Sequence, residues 1–358
     1  MRIHHSFAGR AVGVAASAVL VASFAGARSA AADAHDAAQV TTASAQVANN
    51  TLVITGTPGA DSVLVSQAGD PNQLVTTVNG TTTTFDRSTF SAIAVNLGDG
   101  DDAFQENSGI VSDEKLIVNA GAGNDTVVTG DNNDLIFGGS GDDVIDSGKG
   151  DDLIFAGPGD DAVDGGVGAD VAFLGVGKDG FQWDPGDGSD IVDGGPGDSD
   201  SLLFNGAAGA DTASLSANGH RSVFLRNPGN VRMDMDGIET LQFNAVGGAD
   251  ALTVNDMHGT DIQRVDVDLA VDDGGFGVPD GVVDNVTVNG SNRPDSVDVT
   301  GDGGIVDVAG LSAETTVSGA DHTDQLHVNT LDGNDTVNVD PGANAIMGVK
   351  TNLGAGQH

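Results

Sequence analysis

Residues 138–182 are built of five nine-residue units that follow one another without a gap. They read Gly138-Gly-Ser-Gly-Asp-Asp143-Val-Ile-Asp146, Ser147-Gly-Lys-Gly-Asp-Asp152-Leu-Ile-Phe155, Ala156-Gly-Pro-Gly-Asp-Asp161-Ala-Val-Asp164, Gly165-Gly-Val-Gly-Ala-Asp170-Val-Ala-Phe173 and Leu174-Gly-Val-Gly-Lys-Asp179-Gly-Phe-Gln182. Two looser units, opening at Ala120 and Thr129, precede them in the same frame and carry Asp125 and Asp134. Position six is Asp in all seven units, and position four is Gly in six. A repeat this short restricts the fold more than any other feature of the chain. No single unit can bury an apolar face alone, so each must stack on its neighbours.

The glycine half of each unit supplies a tight turn, because glycine reaches backbone angles that strain other residues. The last three positions carry Val, Leu, Ile or Phe and suit a short strand. Turn and strand alternating every nine residues make a coil of eighteen residues with a turn on each edge. Units of like parity then lie above one another, roughly 4.8 Å apart. Asp125, Asp143, Asp161 and Asp179 are thus expected along one edge, and Asp134, Asp152 and Asp170 along the other. Carboxylates about 5 Å apart repel strongly unless a cation lies between them. Carboxylate and glycine carbonyl oxygens suit calcium, a hard ion that takes six to eight oxygens; magnesium holds its water and demands a stricter octahedron. The alternative is a plain solenoid whose aspartates only complete turns, and seven units in register favour calcium.

The nonapeptide resembles that of the RTX (repeats-in-toxin), haemolysin-type calcium-binding repeat family. The resemblance is strong over about residues 120–204 and diluted over most of the rest, with Asn132 at position four and Gly180 in a strand position as its departures. It implies a parallel β-roll with several calcium ions between successive turns of one edge, carried over here onto the position-six aspartates. Outlying members of the set are Asp102, in Gly98-Asp-Gly-Asp-Asp102, and Asp190, where the unit resumes after the inserted Trp183-Asp184. Asp200 is a weaker candidate, and Asp61 is expected to cap a turn. Trp183, the only Trp, is expected to pack over the interruption.

Residues 1–32 read as a secretory signal peptide, with Arg2 and Arg10 ahead of an Ala- and Val-rich stretch and Ala30-Ala31-Ala32 for cleavage. Residues 33–48 read as a flexible leader, 49–119 as a β-rich segment, 120–204 as the roll, 205–350 as degenerate, larger β-coils and 351–358 as a tail. The expected fold is therefore all-β, a parallel β-roll or β-solenoid flanked by irregular coils. In the degenerate part Gly209-Ala-Asp211, Gly248-Ala-Asp250, Arg293-Pro-Asp295, Thr323-Asp324 and Asn334-Asp335 each precede an alternating apolar run, with Asp335 a further candidate ligand. Asp266, Asp268, Asp272, Asp273, Asp280 and Asp284 read as a solvated loop.

Of 53 acidic residues only four are Glu, a bias toward the acid that fits turns and short ligand loops. Without residues 1–32 the chain keeps ten Lys and Arg against all 53 acids, which opposes compaction and disfavours nucleic acid and anionic membranes. There is no Cys, hence no disulfide staple, and bound calcium is the natural substitute in an exported chain. No second apolar run is long enough to span a bilayer. His-Glu-x-x-His, Gly-x-Ser-x-Gly and a phosphate-binding glycine loop are all missing, and His220, His258, His322 and His327 are scattered. The expected function is a secreted, non-enzymatic, calcium-stabilised module, structural or adhesive, with calcium as its one identified partner and an unassigned surface or matrix partner. The competing reading is a calcium-dependent parallel β-helix lyase or epimerase on acidic polysaccharide; scarce Lys and Arg and the lack of Tyr weigh against it. Export in the resembling family uses a C-terminal signal, whereas the N-terminal signal here points to the general secretory pathway.

Overall fold

Apolar residues at position eight of each unit set the axis of the molecule. Val127, Ile136, Ile145, Ile154, Val163, Ala172 and Phe181 are all buried and alternate between two facing sheets. Burying the Val, Ile and Phe side chains among them contributes about 1.5–3 kcal/mol each. The structure is a computed structural model and describes residues 42–107, 114–196, 199–271 and 278–355. Within them the chain is a parallel β-roll drawn out into a solenoid: two sheets of fifteen strands each enclose one continuous apolar core.

In the repeat segment the register advances by one coil of eighteen residues. Leu135 pairs with Leu153 and Leu153 with Val171 in one sheet; Val144 pairs with Ala162 and Ala162 with Gly180 in the other. Positive φ at Gly139 (+129°) and Gly141 (+117°) turns the chain between sheets. A Cβ at Gly139 would also stand 1.9 Å from the carbonyl oxygen of Gly121, so stacking demands glycine there as strongly as the turn does. Asn132, the departure at position four, adopts φ +90° itself, which Asn tolerates better than most residues.

Trp183 is buried at the interruption, its ring stacked on Phe204 with centroids 4.0 Å apart and its indole N–H donating to the Gly188 carbonyl at 3.0 Å. Beyond it the same two sheets continue through 205–350, lengthened by antiparallel excursions such as Thr212–Asn218, Arg221–Asn227 and Val231–Asp236. Gln73–Val78 and Thr81–Asp86 form a comparable excursion near the start.

Two sequence expectations are corrected. The leader assigned to 33–48 ends earlier, because Ser44–Ala48 pairs antiparallel with Thr51–Thr55 and closes the end of a sheet. The tail begins later: Gly348–Asn352 is a parallel strand on Gln325–Asn329, preceded by a helical turn, Pro341–Ile346, capped by the Asp340 side chain. Both segments cover a sheet edge that would otherwise expose unpaired backbone. The signal-peptide region 1–32, and Asp272 and Asp273, lie outside the described residues. Among the described residues no helix is long and apolar enough to cross a membrane.

Candidate metal-binding edges

Each position-six aspartate immediately precedes a strand and is almost wholly removed from solvent: Asp125, Asp143, Asp170 and Asp179 are 1% exposed, Asp134 4%. The carboxylates form two ladders. On one edge Oδ1 of Asp102, Asp125, Asp143, Asp161 and Asp179 accepts the backbone N–H of Asp61, Asp102, Asp125, Asp143 and Asp161 respectively, at 2.7–2.9 Å. Asp200 continues that ladder by accepting from Asp179. On the other edge Oδ1 of Asp152, Asp170 and Asp190 accepts from Asp134, Asp152 and Asp170 at 2.7–2.9 Å. Each carboxylate thus reaches back one coil with one oxygen.

The other oxygen has no hydrogen-bond donor. Among the described residues Oδ2 of Asp102, Asp125, Asp143, Asp152, Asp161, Asp170 and Asp179 is buried and unpartnered, as are both oxygens of Asp134. A buried ionised carboxylate without compensation is costly. Its expression here is a set of raised pKa values: burial pushes Asp102, Asp143 and Asp152 up to about 6, Asp161 and Asp190 to about 7, Asp170 to about 8 and Asp134 to about 9. Asp125 and Asp179 shift upward for the same reason.

Oxygen surrounds these carboxylates. At Gly138 a Cβ would meet Oδ2 of Asp143 at 2.5 Å and the Ala156 carbonyl oxygen at 2.6 Å, which shows how closely acid and main-chain oxygens converge. Among the described residues no three His, Cys, Asp or Glu side chains gather as a compact metal cluster. The donor set is instead a column of single carboxylates alternating with backbone carbonyls. Such a set fits a hard divalent cation that accepts many oxygens, and calcium best.

A second ladder escaped the sequence reading. At position five, Asp142 donates its N–H to Asn124 Oδ1 at 3.0 Å, Asp160 to Asp142 at 2.9 Å and Lys178 to Asp160 at 2.9 Å. Asp151 and Ala169 do likewise toward Asn133 and Asp151 on the other edge. These side chains reach forward one coil, opposite to the position-six ladder. The signal was Asp or Asn at position five in five of the seven units.

The large coils keep the ladder but differ in chemistry. Asp211, Asp250 and Asp284 donate their N–H groups to Oδ1 of Asp250, Asp284 and Asp324, and Asp295 to Asp335, at 2.7–3.0 Å. Most of their second oxygens have protein donors. Asp211 accepts from Ala207 N–H and Arg226, Asp295 from Ser291 N–H, Asp324 from Asp321 N–H and Asp335 from the Thr330 hydroxyl. Asp61 is likewise served by Thr57 and Asn79, as a turn cap. Asp284 and Asp268, expected in a solvated loop, are buried: each stands at a strand end in the stack, a placement that depends on pairings more than thirty residues distant.

A parallel β-roll with paired acidic edges defines a cation-binding repeat protein. The family model for the RTX calcium-binding nonapeptide repeat (four copies) matches at residues 119–154 and 137–172, and this segment is an array of those calcium-binding repeats. Comparison with the curated proteins gives no match.

Proposed function

We propose that the chain is a secreted calcium-binding protein whose roll serves as a calcium-stabilised structural or adhesive module at a cell surface or in an extracellular matrix. Asp102, Asp125, Asp134, Asp143, Asp152, Asp161, Asp170, Asp179 and Asp190 are its proposed ligand residues. The observation that carries this reading is the column of buried Oδ2 atoms without a donor, confined almost entirely to the RTX segment and its flanking coils. Bound calcium supplies the positive charge; the chain's part is to hold carboxylate and carbonyl oxygens at a fixed spacing and keep water out. Extracellular modules bind calcium at about 10⁻⁴–10⁻³ M, so assembly of the site would follow export. Since the site exists only in the folded form, binding and folding are coupled.

RTX repeats are not catalytic in themselves, and the surface gives little to an acidic polysaccharide. One concave stretch, about 350 Å³ on the outer face of one sheet, is lined by Asp146, Asp164, Gln182, Gln242 and small or apolar residues; a second, about 360 Å³, holds a single basic residue, Arg226, which is paired with Asp211. Turnover of alginate or pectate by the purified chain would replace this reading with the enzymatic one.

The central test is calorimetric titration with calcium of the wild type, Asp143→Ala and Asp161→Ala. The two aspartates are successive rungs of one edge, so their effects should be non-additive in the double variant. A wild type that takes up no calcium overturns the proposal.

A further inference from the structure

Asp134 stands at the foot of its edge, and its surroundings differ from those of every later rung. The opposite edge extends below the repeats through Asp102 to Asp61, whose carboxylate is fully served by the protein. Asp134 accepts no N–H from a preceding aspartate, so both its oxygens are buried without a donor among the described residues. The acid on that side is Glu106, the last residue of the strand Ala103–Glu106, turned inward and 4% exposed.

The glycine column above Glu106 shows what its carboxylate replaces. At Gly166 an added Cβ would strike the Gly148 carbonyl oxygen at 2.0 Å, and at Gly148 the Gly130 carbonyl oxygen at 2.3 Å. At Gly130, the lowest of the three, it would meet Oε2 of Glu106 at 3.1 Å. Where each later coil is met from below by a main-chain oxygen, the first is met by a carboxylate. Asp134 feels the charge of Glu106, and Glu106 in turn feels the acids Glu114 and Asp131 and, more weakly, the cation Arg87. Its acidic neighbour Glu114 is bound by Arg87. Two buried acids, neither of them ion-paired among the described residues and one with both oxygens lacking a hydrogen bond there, call for a positive ion between them.

The geometry points to a divalent-cation site, suited to calcium, held by Glu106 and Asp134 at the foot of this edge and lying partly outside the nonapeptide pattern. It rests on the reading of position-six aspartates as calcium ligands. Glu106 would close the edge by supplying the oxygens that a preceding glycine turn supplies elsewhere.

Native mass spectrometry of the full chain in calcium counts the ions directly. Glu106→Gln keeps shape and one oxygen but loses the charge; it should carry one ion fewer than wild type, with a lowered melting midpoint in calcium. Asp134→Asn added to it should remove no further ion from the foot, because both residues serve the same one. An unchanged ion count with an unchanged or raised midpoint would overturn the site, since Gln mimics a protonated Glu106 of purely structural role. If Glu106→Gln does not fold in calcium, Glu106→Asp decides: it should fold only at higher calcium than wild type, and an identical requirement overturns the site. A wild type that binds no calcium at all would instead sink the underlying reading.

Discussion

At Asp143 one oxygen serves the protein and the other does not: Oδ1 takes the Asp125 N–H at 2.9 Å, while Oδ2 lacks a donor. Asp143→Asn keeps the acceptor and removes the charge, so calcium affinity should drop by about tenfold or more, some 1.4 kcal/mol, in calorimetry. Asp295 offers the control. Its Oδ2 accepts from Ser291 N–H at 2.9 Å, so Asp295→Asn should leave calcium affinity untouched and lower stability by about 1–3 kcal/mol through a broken acceptor pair. Glycine supplies the other decisive residue. Gly157 sits at φ +130°, and a Cβ there would lie 2.0 Å from the Gly139 carbonyl oxygen. Gly157→Ala should therefore cost about 3 kcal/mol or more, read from thermal melts in calcium. A loss under about 1 kcal/mol, the ordinary helix or strand difference between these residues, would contradict the close stacking.

The ladder is the element on which acidity and folding meet. In the metal-free chain, burial raises Asp143 to about 6, Asp161 to about 7 and Asp170 to about 8, from an ordinary value of 3.8. Between the unfolded and folded values the native ladder holds more protons than the unfolded chain, so rising pH favours unfolding. This contribution is fully present below about pH 4 and disappears as pH climbs through 6–8. In chelator, the β-sheet signal in circular dichroism should be stronger at pH 5 than at pH 8. Saturating calcium should flatten that dependence, because the ion takes the place of the proton. On the outer face of the same coils, Phe137, Phe155 and Phe173 stack with ring centroids 5.2 Å apart and planes within 9°, an aromatic column that follows from one Phe every eighteen residues.

Across the whole molecule, two kinds of coil share one pair of sheets. In the RTX coils the charge of the ladder is unanswered by the protein; in most of the larger coils backbone, Ser, Thr and Arg donors answer it. Calcium removal should thus act unevenly. In hydrogen exchange read by mass spectrometry, residues 120–200 should lose protection in chelator while strands such as Gln325–Asn329 and Glu314–Ser318 retain more of theirs. Uniform loss along the chain would show that the sheets unfold as one cooperative unit. The excess of 53 acids over 13 bases adds a long-range push in the same direction.

Nine-residue periodicity was enough to determine the strand positions, the two edges and the identity of the aspartates along them, because each of these is a local consequence of a repeating turn. The cost of misplacing a glycine is local too, which is why the turn residues were legible. Position five was readable in principle, yet its forward-reaching bonds depend on which coil lies next to which. Tertiary structure alone decided how each carboxylate oxygen is used. Whether a carboxylate oxygen is answered, as Asp295 Oδ2 is by the Ser291 N–H and Asp211 Oδ1 by Arg226, or left bare as at Asp143 Oδ2, is set by residues brought alongside through stacking and long excursions. Glu106 at the foot of an edge and Asp284 buried in the stack were hidden for the same reason. Their partners are remote in sequence, and a periodic pattern contains no information about where its own stack begins.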